Sequence, residues 1–207
     1  MAEGHDSIEV AGQRLECAWL GPAPSSDPDG PPTLVFLHEG LGCVALWRDF
    51  PERLVEAPGL GGFVYSRRGY GGSDPCELPR PITYMHDEGL EVLPALLQAA
   101  GIKRAILVGH SDGASISLIY AGGTPAQELA GLILEAPHVF MEEINVAAIS
   151  EACHAYDTGD LRQRLAKYHG DNVDCAFRGW SEPWLGEGFN TWNLEEYLPR
   201  ICAQKPV

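Results

Sequence analysis

Ser111 is the residue of this chain best placed by its neighbours to do chemistry. It is the central residue of Gly109-His110-Ser111-Asp112-Gly113, which matches the pattern G-x-S-x-G. Such a serine acts as a nucleophile when it lies on a tight turn between a buried strand and a helix. The apolar run AILVG before it and the run ASISLIYAG after it predict that strand and that helix. We therefore predict that Ser111 attacks a carbonyl carbon.

Attack on a carbonyl also requires backbone N–H groups that stabilise the negative charge on the carbonyl oxygen. Asp112, at the start of the predicted helix, supplies one N–H in the favourable field of the helix N-terminus. The segment FLHEGLG, residues 36–42, suits a second donor, with Gly40 as the first choice and Leu41 as the second. An ordinary turn between a strand and a helix is the alternative for this segment.

The elements that must position these groups follow from hydrophobic patterning. Short apolar runs alternate with helical patterns, which favours a mostly parallel α/β sheet covered by helices. Strands are predicted at 14–20, 33–37, 62–66, 104–109 and 131–137. Helices are predicted at 46–57, at 84–100 with a kink at Pro94, and after Ser111. From Met141 onward the pattern becomes helical and aromatic, and the alternation stops.

Three segments together resemble the α/β-hydrolase fold superfamily. They are HEGLG at 38–42, SRRGYGGSD at 66–74 and GHSDG at 109–113, in the order that the family uses. The resemblance implies a doubly wound sheet with a helical lid after the sixth strand. It divides the chain into a core at 1–140, a lid at 141–197 and the start of a C-terminal core at 198–207.

Two positions depart from the family pattern. Glu39 replaces the usual glycine after the histidine, and Ser66 stands where the family often has Asp. Glu39 either binds a cationic group of the substrate or has a structural role facing away from the pocket. Ser66, Arg67, Arg68 and Asp74 are expected to hold their loop in place.

The resemblance also implies an acid after the seventh strand and a histidine after the eighth. The seventh strand would only begin at Pro206 and Val207, so both groups and the last strands are expected to lie beyond the 207 residues. Without a base a serine is a poor nucleophile, and we expect impaired turnover. His138 with Glu135 is an alternative source of a base, although both are equally explained as strand-end residues that line the pocket.

The missing strands have a second consequence. The sixth strand becomes a sheet edge, from which we expect poor solubility or self-association.

The resemblance predicts a serine hydrolase acting on a small acyl substrate, such as an ester or a lactone, and leaves amide and carbon–carbon bond cleavage open. The expected substrate-binding residues are Glu39, Leu41, His138, Trp180 and Trp184. The alternative is a catalytically inactive protein of the same fold that binds a ligand or a partner. No cofactor is expected, because the glycine-rich segments do not fit a phosphate loop or G-x-G-x-x-G.

Composition narrows the classes of partner. The formal net charge of −15 argues against a nucleic-acid groove. The apolar runs are too short for a membrane span and the N-terminus lacks a signal-peptide pattern, so the expected location is the cytoplasm. Six scattered cysteines without a C-x-x-C pair predict free thiols, and the histidines form no metal-ligand motif.

Overall fold

A mixed sheet of six strands forms the centre of the molecule. The computed structural model describes residues 6–201 of the chain. The strands are β1 (Asp6–Val10), β2 (Gln13–Leu20), β3 (Thr33–Leu37), β4 (Gly61–Tyr65), β5 (Ala105–His110) and β6 (Leu129–Glu135). Their order across the sheet is β1-β2-β4-β3-β5-β6. β3 pairs in parallel with β4 and β5, β5 pairs in parallel with β6, and the β1-β2 and β2-β4 pairs are antiparallel.

Seven α-helices accompany the sheet within residues 6–201. They are α1 (Phe50–Glu56), α2 (Tyr84–Asp87), α3 (Leu93–Ala99), α4 (Asp112–Gly123), α5 (Glu143–Thr158), α6 (Leu161–His169) and α7 (Val173–Leu185). Single turns of 3-10 helix lie at Val44–Trp47, Gly170–Asn172, Glu187–Thr191 and Leu198–Arg200. The predicted α/β class is confirmed, with a mostly parallel sheet.

The predicted helix at 84–100 is interrupted, as its proline suggested. A π-helical segment, Glu88–Val92, separates α2 from α3, and Pro94 lies in the first turn of α3. A proline is tolerated there because the first N–H groups of a helix have no partner within the helix. The antiparallel strand β1 was not predicted. Only Val10 of the five residues of β1 is buried, so the sequence of this strand has a weak hydrophobic pattern.

The parallel pairing places the two functional turns side by side. Every residue of β3 and β4 is buried, which accounts for their continuous apolar sequence. Leu37 pairs with Gly109 at the carboxyl ends of β3 and β5. The turn after β3 and the turn that contains Ser111 therefore start from the same edge of the sheet.

Two hydrophobic clusters matter for the site. The main one, between the sheet and the helices, includes the late aromatic residues Phe189, Trp192 and Tyr197. A smaller one joins α5, α6 and α7, where the rings of Tyr156 and Phe177 stack with centroids 3.7 Å apart. The division at 140 and 197 stays a prediction, and the predicted start of a seventh strand at 206–207 lies outside the described residues.

The far side of β6 is open. Within the described residues β6 pairs only with β5, and Ile133 on it is 47% exposed. Self-association through this edge stays a prediction.

Candidate active site

Ser111 lies on a strained turn between β5 and α4. Its backbone has φ 52° and ψ −116°, in the region that L-residues rarely adopt. Such a conformation costs about 1–3 kcal/mol and persists only where the surrounding structure enforces it. Here the Ser111 N–H donates to the Glu135 carbonyl at 2.9 Å, and the Ser111 carbonyl accepts from Ala114 and Ser115 N–H groups at 2.9 and 3.0 Å. The turn therefore holds its serine in a fixed position above the end of the sheet.

Both glycines of the motif are required by close packing. A Cβ at Gly109 would lie 2.6 Å from the Ala114 Cα atom. A Cβ at Gly113 would collide with the Leu37 carbonyl at the end of β3. Any side chain at either position would push α4 away from the sheet and move Ser111.

His138 is the candidate base. Its Nε2 atom lies 3.2 Å from Ser111 Oγ, within reach of proton transfer. Ser115 fixes the His138 backbone: Ser115 Oγ donates to the His138 carbonyl at 2.7 Å and accepts from the His138 N–H at 3.0 Å. The Trp184 ring lies edge-on to the imidazole with the ring centroids 5.0 Å apart. Glu135 contributes its backbone carbonyl to the turn, and its side chain is exposed.

The other imidazole nitrogen faces an amide. Asn145 Nδ2 lies 3.3 Å from His138 Nδ1. In this orientation the amide donates to Nδ1, so the imidazole proton is on Nε2 and points at Ser111. A base needs the opposite tautomer, which an amide turned by 180° would favour because its oxygen would accept from Nδ1–H.

A cavity of about 190 Å³ opens above Ser111 and His138. Its other lining residues are Asn145, Ala148, Ile149, Trp180 and Trp184. The structure thus brings together four of the predicted site residues, Ser111, His138, Trp180 and Trp184. The three lining residues from α5, Asn145, Ala148 and Ile149, were not predicted. They are spaced i, i+3, i+4, the spacing of one helix face, and this signal could have grouped them.

The turn after β3 presents one N–H beside the elbow. A Cβ at Gly40 would collide with the Trp180 indole, so only glycine fits beneath this ring. Within the part of the chain that the structure describes, the N–H groups of Gly40 and Asp112 have no hydrogen-bond partner. The Leu41 N–H is occupied, because it donates to Glu39 Oε2 at 2.5 Å. Of the three predicted donors, Gly40 and Asp112 are therefore the two whose N–H groups stay unoccupied among the described residues.

Glu39 and Leu41 do not line the Ser111 cavity. Glu39 lines a separate space of about 50 Å³ together with His38 and His110. Burial raises the pKa of the Glu39 carboxyl, and the hydrogen bond from Leu41 opposes that shift. The Glu39 carboxylate therefore stabilises the turn that contains it. This is a structural role for the residue that stands where the family usually has glycine.

A buried polar network supports the elbow from below. Asp112 Oδ2 accepts from the Tyr84 hydroxyl at 2.6 Å, and that hydroxyl accepts from Trp184 Nε1–H at 3.0 Å. Arg67, only 2% exposed, places Nη2 3.8 Å from the same carboxylate oxygen. Burial and the Asp112 charge raise the pKa of Tyr84, so its hydroxyl keeps its proton and donates. Asp112, the residue after Ser111, is thereby connected to α7.

The loop after β4 is held by the side chains predicted for that role. Ser66 Oγ accepts from a backbone N–H at 2.9 Å, and Asp74 Oδ2 accepts from a backbone N–H of β2 at 2.8 Å. Arg68 Nε–H donates to a carbonyl of the same loop at 2.9 Å. The Arg67 N–H donates to His38 Nε2 at 3.0 Å, which ties this loop to the turn after β3.

Residues 6–201 lack two further classes of feature. No three His, Cys, Asp or Glu side chains group together in a way that could hold a metal ion. No helix combines the length and the apolar character that crossing a membrane requires.

Comparison with known proteins supplies the family. The model of the alpha/beta hydrolase fold family matches residues 32–167, more than half of the chain. The chain belongs to the α/β-hydrolase family. The match includes the turn after β3, the loop after β4 and the Ser111 elbow.

Solved structures agree with this fold. An esterase from Exiguobacterium antarcticum is 19% identical with a TM-score of 0.69, over 96% of this chain and 78% of that one. An enol-lactonase from Burkholderia xenovorans is 17% identical with a TM-score of 0.64, over 95% and 77%. An epoxide hydrolase from Vigna radiata is 21% identical with a TM-score of 0.54, over 76% of this chain and 44% of that one. At these identities the likeness establishes the fold.

Proposed function

We propose that this α/β-hydrolase is a serine hydrolase that cleaves a small acyl substrate, an ester, a lactone or a similar compound. The observation that carries the proposal is the 3.2 Å separation of Ser111 Oγ and His138 Nε2 at a strained elbow. The similarity of the fold to an esterase and to an enol-lactonase supports this reaction class.

In the proposed reaction, Ser111 Oγ attacks the carbonyl carbon while His138 Nε2 takes the hydroxyl proton. The N–H groups of Gly40 and Asp112 stabilise the oxyanion. Collapse of this intermediate breaks the bond to the leaving group, which takes the proton from His138. Water then attacks the acyl-enzyme in the same way, and Ser111 is regenerated.

We expect turnover to be weak, because among residues 6–201 the partner of His138 Nδ1 is the amide of Asn145 and not a carboxylate. Asn145 is neutral, and in its present orientation it favours the tautomer that cannot accept the proton of Ser111. In a serine protease, replacing the supporting Asp by Asn lowers turnover by about 10⁴ because of the wrong tautomer. The geometry around His138 itself therefore predicts impaired turnover.

The cavity favours short acyl groups. Its volume of about 190 Å³ is below the roughly 300–1,000 Å³ of pockets for drug-sized ligands. We assign the apolar contacts of the acyl group to Trp180 and Trp184. Glu39 and Leu41 are assigned to holding the turn that presents Gly40, which revises the expectation that they bind substrate.

Turnover of p-nitrophenyl acetate and butyrate tests the proposal. Ser111→Ala should reduce turnover to the level without protein, and His138→Gln should reduce it by about 100-fold or more, the usual contribution of a positioned base. Ser150→Ala, at an exposed serine of α5, is the matched control and should leave turnover unchanged. A Ser111→Ala protein as active as the wild type would overturn the proposal.

One observation favours the second candidate, an inactive α/β-hydrolase that binds a ligand or a partner. In its present orientation the Asn145 amide pairs with the His138 tautomer that carries its proton on Nε2, and such an imidazole donates to Ser111 instead of accepting from it. A fluorophosphonate probe separates the two candidates. Labelling that disappears in Ser111→Ala supports the hydrolase, whereas a folded protein without labelling supports the binding protein.

A further inference from the structure

Cys76 and Cys175 lie against each other, although 99 positions separate them in sequence. Cys76 belongs to the loop that follows β4, and Cys175 lies in α7. The Cys175 sulfur is 3.3 Å from the Cys76 carbonyl, and the Cys76 sulfur is 3.9 Å from the Cys175 carbonyl. These reciprocal contacts place the two cysteines next to each other, and such proximity is the first requirement for a disulfide.

The pair differs in exposure from two of the three other described cysteines. Cys17 and Cys43 are buried, and burial raises the pKa of each thiol to about 11, which makes them unreactive. Cys76 and Cys175 are both partly exposed. Burial and the neighbouring Cys76 raise the pKa of Cys175, a further sign that the two groups interact.

Solvent reaches one member of the pair through a cavity. Cys76 lines a space of about 310 Å³ beside the loop after β4, together with Arg68 and Arg80, and Cys175 does not line it. Cys76 therefore has an open approach for a dissolved oxidant through this cavity. This cavity is separate from the one above Ser111.

We propose that Cys76 and Cys175 are a reversible oxidation site that forms a disulfide with glutathione disulfide as the oxidant. The Cys76 thiolate attacks glutathione disulfide, which forms a mixed disulfide and releases one glutathione. The Cys175 thiolate then attacks the Cys76 sulfur, which forms the protein disulfide and releases the second glutathione. Two protein thiols are oxidised, and one glutathione disulfide is reduced to two glutathione molecules.

The disulfide would join α7 to the core. α7 also carries Trp180 and Trp184, which line the cavity above Ser111. The cross-link would therefore hold one wall of that cavity against the loop after β4. This consequence for the Ser111 site rests on the proposed function, whereas formation of the disulfide does not.

The test oxidises the full chain with glutathione disulfide and maps its peptides without reduction. A cross-linked peptide pair containing Cys76 and Cys175 is expected in the wild type and in Cys153→Ser, and it should disappear after dithiothreitol. Cys153→Ser is the matched control because Cys153 is the other partly exposed thiol among the described cysteines. Cys76→Ser and Cys175→Ser should each lose the cross-link.

Two further measurements complete the test. Because the disulfide closes a long loop, the oxidised protein should melt about 5 °C or more above the reduced one. Labelling of Ser111 by a fluorophosphonate should proceed at a different rate in the two forms. Glutathione attached to Cys76 without a cross-link, or cross-links shared equally with Cys153, would overturn the proposal. A cross-link in a protein whose Ser111 never reacts would overturn only the proposed function.

Discussion

The Tyr84 hydroxyl donates a 2.6 Å hydrogen bond to the carboxylate of Asp112, the residue that follows Ser111. Both side chains are buried. The same hydroxyl accepts from the Trp184 indole N–H at 3.0 Å. One oxygen atom therefore connects the elbow to a helix that lines the cavity, and its removal leaves unpaired groups at both ends.

Tyr84→Phe should lower the free energy of unfolding by about 1–3 kcal/mol, the usual cost of an unsatisfied buried polar group. Among the described residues Asp112 Oδ1 has no hydrogen-bond partner, so within this part of the chain the variant leaves the carboxylate with Arg67 at 3.8 Å. Urea unfolding measures the change. Tyr168→Phe, at a tyrosine that is 41% exposed, is the control and should unfold like the wild type. Equal stability of the two variants would show that the network contributes nothing.

Local sequence patterns predicted the frame of this site. Continuous apolar runs marked β3 and β5, because strands buried on both faces leave no polar alternation. The glycines around Ser111 marked the elbow, because close packing at 109 and 113 excludes any side chain. These signals are short-range, and they were sufficient to locate β3, β5 and the turn that carries Ser111.

The partners of Ser111 depend on contacts between distant segments. Ser111 meets His138 from 27 positions away, and Tyr84 meets Trp184 from 100 positions away. Helical spacing can place Asn145 and Ile149 on one face of α5, but it cannot say that this face closes over Ser111. For that reason the sequence left two interpretations of His138 open, a base or a strand-end residue that lines the pocket. The sequence did not reveal the hydrogen-bond network around Tyr84.

Asn145→Asp should increase turnover of p-nitrophenyl acetate. A carboxylate at this position accepts from His138 Nδ1–H, which places the free lone pair on Nε2 and stabilises the imidazolium. We expect the kcat to rise about tenfold or more, a fraction of the roughly 10⁴ that the opposite change costs in a serine protease. Asn145→Leu has a similar volume but cannot accept from Nδ1–H, so its turnover should stay well below that of the Asp variant. Equal rates for the Asp and Leu variants would show that a carboxylate at this position does not act through His138.

Trp180→Ala should shift the preference toward longer acyl chains. The indole lies directly on Gly40 and forms part of the wall of the 190 Å³ cavity. Each methylene that gains room in an apolar pocket contributes about 1–3 kcal/mol, so the ratio of kcat/KM for butyrate over acetate should rise about tenfold. Ile144→Ala, at a residue of α5 that is 72% exposed and outside the cavity, should keep the wild-type ratio. An unchanged ratio in Trp180→Ala would place the acyl group elsewhere.

His169 should make the fold less stable in mild acid. Its Nδ1 accepts from the Gly71 N–H at 3.1 Å while Nε2–H donates to the Leu41 carbonyl at 3.0 Å, so only the neutral ring satisfies both. Burial lowers the pKa of His169 below its value of about 6.5 in an unfolded chain. The unfolded state therefore binds the proton first, and stability is lost as pH falls below about 6.5, by at most about 1.4 kcal/mol per pH unit. His169→Gln lacks this titration, so its deficit in the free energy of unfolding, measured with urea, should shrink between pH 7 and pH 5. A deficit of His169→Gln that stays constant over this range would mean that His169 does not titrate on unfolding.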